Sequence, residues 1–187
     1  SALQYLDGDL QLSSSFVARC PLIAGWALYE QHRLQPLAQT HFGQPVARMT
    51  HFGSFACRNI YHRENARRSD HATASALDVA ALALADGTTI SVLQDWDNQG
   101  EKGAFLRAAF AEACDFFGTS LGPDYNAAHA NHFHFGLRGF GFRFGFRCGF
   151  GLCNRLWDHI GGGLWHRLWF GGGLFGNLRR GALPAQQ

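Results

Sequence analysis

The segment His129-Ala130-Asn131-His132-Phe133-His134-Phe135 constrains this chain more than any other, because it sets three imidazoles within six residues and places the last two among phenylalanines. Alternating polar and apolar positions mark a half-buried strand. On a strand, residues two apart share a face. His132 and His134 are therefore predicted to project into one space, with Phe133 and Phe135 facing the opposite way. Two imidazoles on one face can both act at a divalent metal, or one can bind it while the other handles protons.

The rest of such a site has to come from elsewhere in the chain. A zinc ion needs neutral imidazole nitrogens or carboxylate oxygens at about 2.0–2.2 Å. His134 can supply one donor, and His71 and Asp78 are candidates for two more. In one straight helix these two would share a face but lie about 10.5 Å apart along it, too far to meet at one ion. The site therefore requires His71 on a loop and Asp78 on a strand. On that strand Ala76, Asp78 and Ala80 share a face, leaving room beside the carboxylate, while Leu77 and Val79 pack away. Taken singly, Asp78 reads as a buried carboxylate paired with an arginine and His71 as a loop histidine. Taken together, H-x6-D with H-x-H favours metal ligation.

Charge divides the chain. Residues 138–187 hold seven Arg and one Asp, a balance of +6, so with a net charge of +2 residues 1–137 carry −4. A mildly acidic body gives nucleic acid binding no electrostatic support. Five cysteines, Cys20, Cys57, Cys114, Cys148 and Cys153, form no CxxC pair. They read either as core thiols of a cytosolic protein or as disulfides of an exported one whose leader has been removed.

In chain order, residues 1–20 look irregular. A helix is predicted from Pro21 to about Gln39, kinked or ended at Pro36. His32 and His41 near its end read as exposed surface histidines. Strands are predicted over 46–51 and 53–58, then an Arg-rich surface loop to residue 70. Residues 75–84 suit helix by alanine propensity or strand by context, and the strong turn at Asp86-Gly87 pairs 76–84 with 88–93 as a hairpin. The clearest helix covers 102–117, with Gly118 as its cap. A loop over 121–126 leads into the histidine strand. Past Leu137 the chain turns to Gly, Phe, Arg and Trp, and the many glycines leave no regular packing pattern. Residues 138–187 thus read as a low-complexity tail, whose aromatic and cationic segments suit weak contact with a membrane surface or an anionic wall polymer.

The set Ser69-x-His71-x6-Asp78 with His132-x-His134 resembles the LAS zinc metallopeptidases, a group that includes D-Ala-D-Ala peptidases, lysostaphin-type endopeptidases and the hedgehog signalling domain. More closely, residues 20–137 resemble the bacterial extensin-like C-terminal domain family within that group. The matching pieces include Ser54-Phe55-Ala56-Cys57-Arg58, Ser69 to Thr73, Ala76 to Val79, Leu121 to Asn126 and His129 to His134. The resemblance implies an α+β fold, a small antiparallel sheet flanked by helices, hedgehog/D-Ala-D-Ala-peptidase-like, over residues 1–137. It implies zinc held by His71, Asp78 and His134 with water at the fourth position, and a periplasmic or extracellular protein that cleaves peptidoglycan peptides. The cysteines at 20, 57, 114 and 148 resemble the family's disulfide set.

In that chemistry zinc activates the attacking water. His132 acts as general base or stabilises the oxyanion. Arg58 either holds a substrate carboxylate or makes a surface salt bridge. Ser69 orients the substrate or the loop that carries His71, and His129 either supports the ligands or is a loop histidine. Asn131 departs from the family, whose members commonly have a carboxylate there, three residues before the ligand His134. Ala74 replaces a usual glycine. The three ligands are intact, so zinc binding is better founded than catalysis. A zinc-containing peptidoglycan-binding or scaffold module with impaired chemistry is the alternative.

Overall fold

A nine-residue strand at the centre of the sheet explains most of the architecture. The structure is a computed structural model that describes residues 10–139; the predicted tail beyond Gly139, with Cys148 and Cys153, lies outside the described residues. Strand β3 is Ala76–Leu84. Along one side it pairs antiparallel with β2, Val46–Gly53. Its other side is shared: β6, Phe133–Gly136, pairs with residues 76–79, and β4, Thr89–Ser91, with residues 81–83. Strand β5, Thr119–Leu121, adds to β6, and β1, Gln11–Leu12, runs parallel to β2. The result is a mixed α+β domain with a six-stranded, mostly antiparallel sheet.

The alternation in β3 and β6 decides which face is which. Leu77, Val79, Phe133 and Phe135 are all buried in the core. Against them pack the residues of two helical arms. The first runs through α1, Cys20–Tyr29, a five-residue π-helical stretch Glu30–Leu34, and α2, Gln35–Phe42. The second is α4, Glu101–Ala113, which follows α3, a single turn at Val92–Asp95. Tyr29 joins these parts. Its ring lies within 6 Å, centroid to centroid, of Phe116, Phe117 and Phe135, and its hydroxyl donates to the Ala109 carbonyl at 2.9 Å.

Several elements depart from the sequence expectation. The first helix is neither ended nor sharply broken at Pro36. The wider turn just before it, with Gln35 N–H bonded to the Glu30 carbonyl, carries the helical path across a residue that has no N–H to donate. The strand expected at 53–58 does not form. After Gly53 the chain leaves the sheet and docks on the turn at His71, where Ala56 N–H bonds to the His71 carbonyl. Residues 92–93 begin α3 instead of extending the hairpin, because the Asp95 carboxylate accepts from Ser91 N–H. Helix α4 stops at Ala113, and its continuation through Phe116 tightens to i→i+3 bonds, so Gly118 is not its cap. Of the expected disulfide set, Cys20 and Cys57 are free, exposed thiols. No helix among the described residues is long and apolar enough to cross a membrane.

Tyr29 carries a testable consequence. Tyr29→Phe removes one buried hydrogen bond and is expected to lower unfolding free energy by about 1 kcal/mol. Tyr29→Ala opens a cavity between helices and sheet and is expected to cost about 3–5 kcal/mol. Urea denaturation of both variants checks the order and the size of these losses.

Candidate metal centre

Two of the three expected ligands face each other across one strand pair. Asp78 of β3 lies directly opposite His134 of β6, and side chains at such positions stand within about 5.5 Å at Cβ. On the far side of β3, the register of β2 shifts between Thr50 and His51 and again between His51 and Gly53, and Gly53 is the partner of Asp78. Bulges of this kind re-aim side chains next to functional sites. Gly53 takes φ +104°, a conformation that glycine adopts without strain.

The third ligand arrives on a 3-10 turn, Asp70–Thr73, five residues before Asp78 enters its strand register. The Ser69 hydroxyl caps this turn by accepting from His71 N–H. Ser69 is buried and therefore orients the turn. The turn closes at Ala74 with φ 51°, a left-handed conformation where an alanine is strained. The glycine expected at this position would not be.

The donors converge. His71 Nε2 lies 3.0 Å from Asp78 Oδ2 and 3.1 Å from His134 Nδ1, and His134 Nδ1 lies 2.9 Å from Asp78 Oδ1. His71 Nδ1 donates to the Ser54 carbonyl at 3.2 Å, which turns Nε2 toward the Asp78 carboxylate. Protonated, His71 Nε2 and His134 Nδ1 donate to the carboxylate; deprotonated, both direct a lone pair at one point beside it. A cation at that point satisfies all three. Two imidazoles and one carboxylate are also a ligand set of hydrolytic zinc, which keeps a fourth position open. The residues present therefore fit the ion that the resemblance implies, and this is the one group of its kind among the described residues.

The electrostatics agree. Burial alone would resist ionisation of Asp78, and it is the largest single influence. The hydrogen bonds from His134 and His71, with their charge, together outweigh it and hold the carboxyl well below the usual carboxylate range. Burial pushes the His129 imidazole down to about 4, reinforced by His134 and His132. His132 is likewise lowered by burial, opposed by Asp78. These two rings are neutral at pH 7.

His132 stands just before β6, with Nε2 3.6 Å from Asp78 Oδ1 and Nδ1 2.8 Å from the Asn131 amide oxygen. His129 is buried beside it at 5.2 Å between ring centroids and 5.9 Å from the His134 ring. Its Nδ1 is 2.8 Å from Asn126 Oδ1, and Asn126 in turn donates to the Tyr61 hydroxyl. Arg58 lies in the loop after β2, not at a strand end, and makes no ion pair among the described residues. Its charge is the weakest of the influences that lower His132.

Sequence reading missed Ser54, Asn126, Tyr61 and Phe52. Phe52 sets its ring edge-on to His132 at 5.7 Å. Only Asn126 carried a signal, as a side-chain acceptor ahead of a short turn, and it bonds Ala128 N–H in that way. The other three reach the site through contacts distant in sequence.

Two outcomes follow from these observations. Ala74→Gly relieves the left-handed residue and is expected to raise stability by about 1 kcal/mol, measured by thermal or urea unfolding. For His129, the unfolded chain binds a proton near pH 6.5 and the folded chain near 4. In chelator-treated protein, stability is therefore expected to be full above pH 6.5 and to fall as the pH drops toward 4. His129→Gln should flatten that slope in a Tm-versus-pH series, and an unchanged slope would count against the burial argument.

The family model described as Extensin-like protein C-terminus matches residues 2–145. No curated protein and no solved structure matches the chain.

Proposed function

The chain belongs to the extensin-like protein C-terminus family, and we propose that it is a zinc-dependent hydrolase that cleaves peptide bonds in peptidoglycan stem peptides or cross-links. In this reading it is a LAS-type zinc peptidase with a hedgehog/D-Ala-D-Ala-peptidase-like fold, acting in the periplasm or outside the cell. The observation that carries it is the convergence of His71, Asp78 and His134 within 4.8 Å, with a third imidazole alongside.

His71, Asp78 and His134 would hold the ion. When bound, zinc supplies Lewis acidity, which acidifies a water and polarises a carbonyl. The chain's own residues do the remainder. His132 is neutral at pH 7 and has Nε2 directed at the ligand cluster, so it is placed to take the proton of the attacking water and later return it to the leaving amine. The same ring, once protonated, opposes the negative charge that develops on the substrate oxygen. Arg58 makes no ion pair among the described residues, and its planar fork suits a terminal or side-chain carboxylate of the wall peptide. Ser54 and Ser69 hold His71 in orientation by the two bonds described above. Ala76 and Ala80, on the Asp78 face of β3, leave the carboxylate unobstructed.

A second reading is favoured by Asn131. An amide cannot take a proton, so where relatives have a carboxylate this chain has lost one candidate base. In that case the zinc is retained and the domain binds wall peptides without cutting them.

Isothermal titration is expected to give one zinc per chain, with Asp78→Asn weakening it by at least about 100-fold, since even a supporting residue accounts for 10–100-fold. Purified peptidoglycan digested with the protein is expected to release new peptides, detected by mass spectrometry, that disappear with chelator. Stoichiometric zinc with an unchanged digest would establish the binding module instead. No stoichiometric zinc would refute both.

A further inference from the structure

A neutral histidine has one ring proton and two nitrogens to carry it, so a histidine that takes a proton at Nε2 must keep its own on Nδ1. Two acceptors compete for the proton of His132. Asp78 Oδ1 lies 3.6 Å from Nε2, beyond hydrogen-bond range. The Asn131 amide oxygen lies 2.8 Å from Nδ1, well inside that range. Phe52 meets the ring edge-on at 5.7 Å and His129 stands at 5.2 Å, so neighbours on two sides bear on its orientation.

From this geometry we propose that Asn131 is the positioning residue of His132: its amide oxygen fixes the proton on Nδ1 and so presents the Nε2 lone pair to the ligand cluster. The position where relatives have a carboxylate thus keeps an acceptor while giving up a charge. Asn131 touches neither the metal donors nor the place where a scissile bond would lie, and it acts through His132. The inference rests on the reading of His132 as the proton acceptor in the hydrolase. It also names the opposite state: an amide turned over would offer its NH2 group to Nδ1 and drive the proton to Nε2, aiming a donor at the centre and disabling the base.

The test is the tautomer itself. The full chain is labelled with 15N-histidine, and ring 15N–1H correlations are recorded at pH 8 with and without added zinc, the His132 signals being assigned through His132→Gln. The wild type is expected to show a protonated Nδ1 and an unprotonated Nε2. Asn131→Asp keeps the acceptor and should preserve that pattern. Asn131→Leu removes it and should move the proton toward Nε2, with zinc affinity and the His71 and His134 signals unchanged. A protonated Nε2 in the wild type overturns the proposal whatever the variants do, and so does a folded Asn131→Leu with the wild-type pattern. In wall digests, Asn131→Leu is expected to lower kcat roughly 10- to 100-fold at constant KM, with activity rescued by Asn131→Asp. The expected tautomers in a wild type that cuts no peptide would support the positioning role and refute the hydrolase, so the two failures are told apart.

Discussion

The carboxylate of Asp78 is the point on which this domain depends. It sits on the central strand, mostly removed from water, and it is kept ionised only because imidazoles from two separate segments donate to it. An ionised group at such a place is strongly unfavourable without partners, and removing one partner typically leaves a penalty of several kcal/mol. The three donors are therefore interdependent. Each imidazole holds the charge in place, and the charge holds the imidazoles at a mutual distance that a cation would bridge.

The same strand pair builds the hydrophobic core. Because side chains alternate, the register that sets Asp78 opposite His134 also sets Leu77 opposite Phe135 and Val79 opposite Phe133. A slip of one residue would turn the phenylalanines to the site and the ligands into the core, so the packing of Phe135 against Phe117 and Tyr29 enforces the site geometry. Core and site are two faces of one pairing. This is why a short strand, Phe133–Gly136, suffices to place a ligand with accuracy.

That coupling also explains what could be read from the chain beforehand. A local period-2 pattern gave away β6 and the face of His134, whereas the alanine-rich β3 suited helix or strand and was placed by its neighbours in the chain and by the needs of the site. The 10.5 Å separation along a helix excluded a helical path between His71 and Asp78, and the turn at Asp70–Thr73 bears that out. What stayed hidden depends on contacts between distant segments. Residues 54–58 alternate like a strand, yet β3 has both sides filled, by β2 and by β6 with β4, so the segment has no place in the sheet there and covers His71 instead. The π-helical stretch before Pro36, the Asp95 cap on Ser91 and the Tyr61–Asn126 link leave no mark in hydrophobic periodicity either.

Binding and catalysis stand on different footings in this architecture. The ligands are fixed by elements that also hold the fold: a strand pair with core on its other face, and a capped turn tied to the chain at Ser54 and Ser69. His132 is held less firmly, before β6 begins, by an exposed amide and by ring contacts. Substitution of His71, Asp78 or His134 is expected to perturb the fold, whereas Asn131 lies outside the strand pair and the capped turn. A change at position 131 therefore reaches the hydrogen bond to His132 while the strand pair, the capped turn and the core stay as they are.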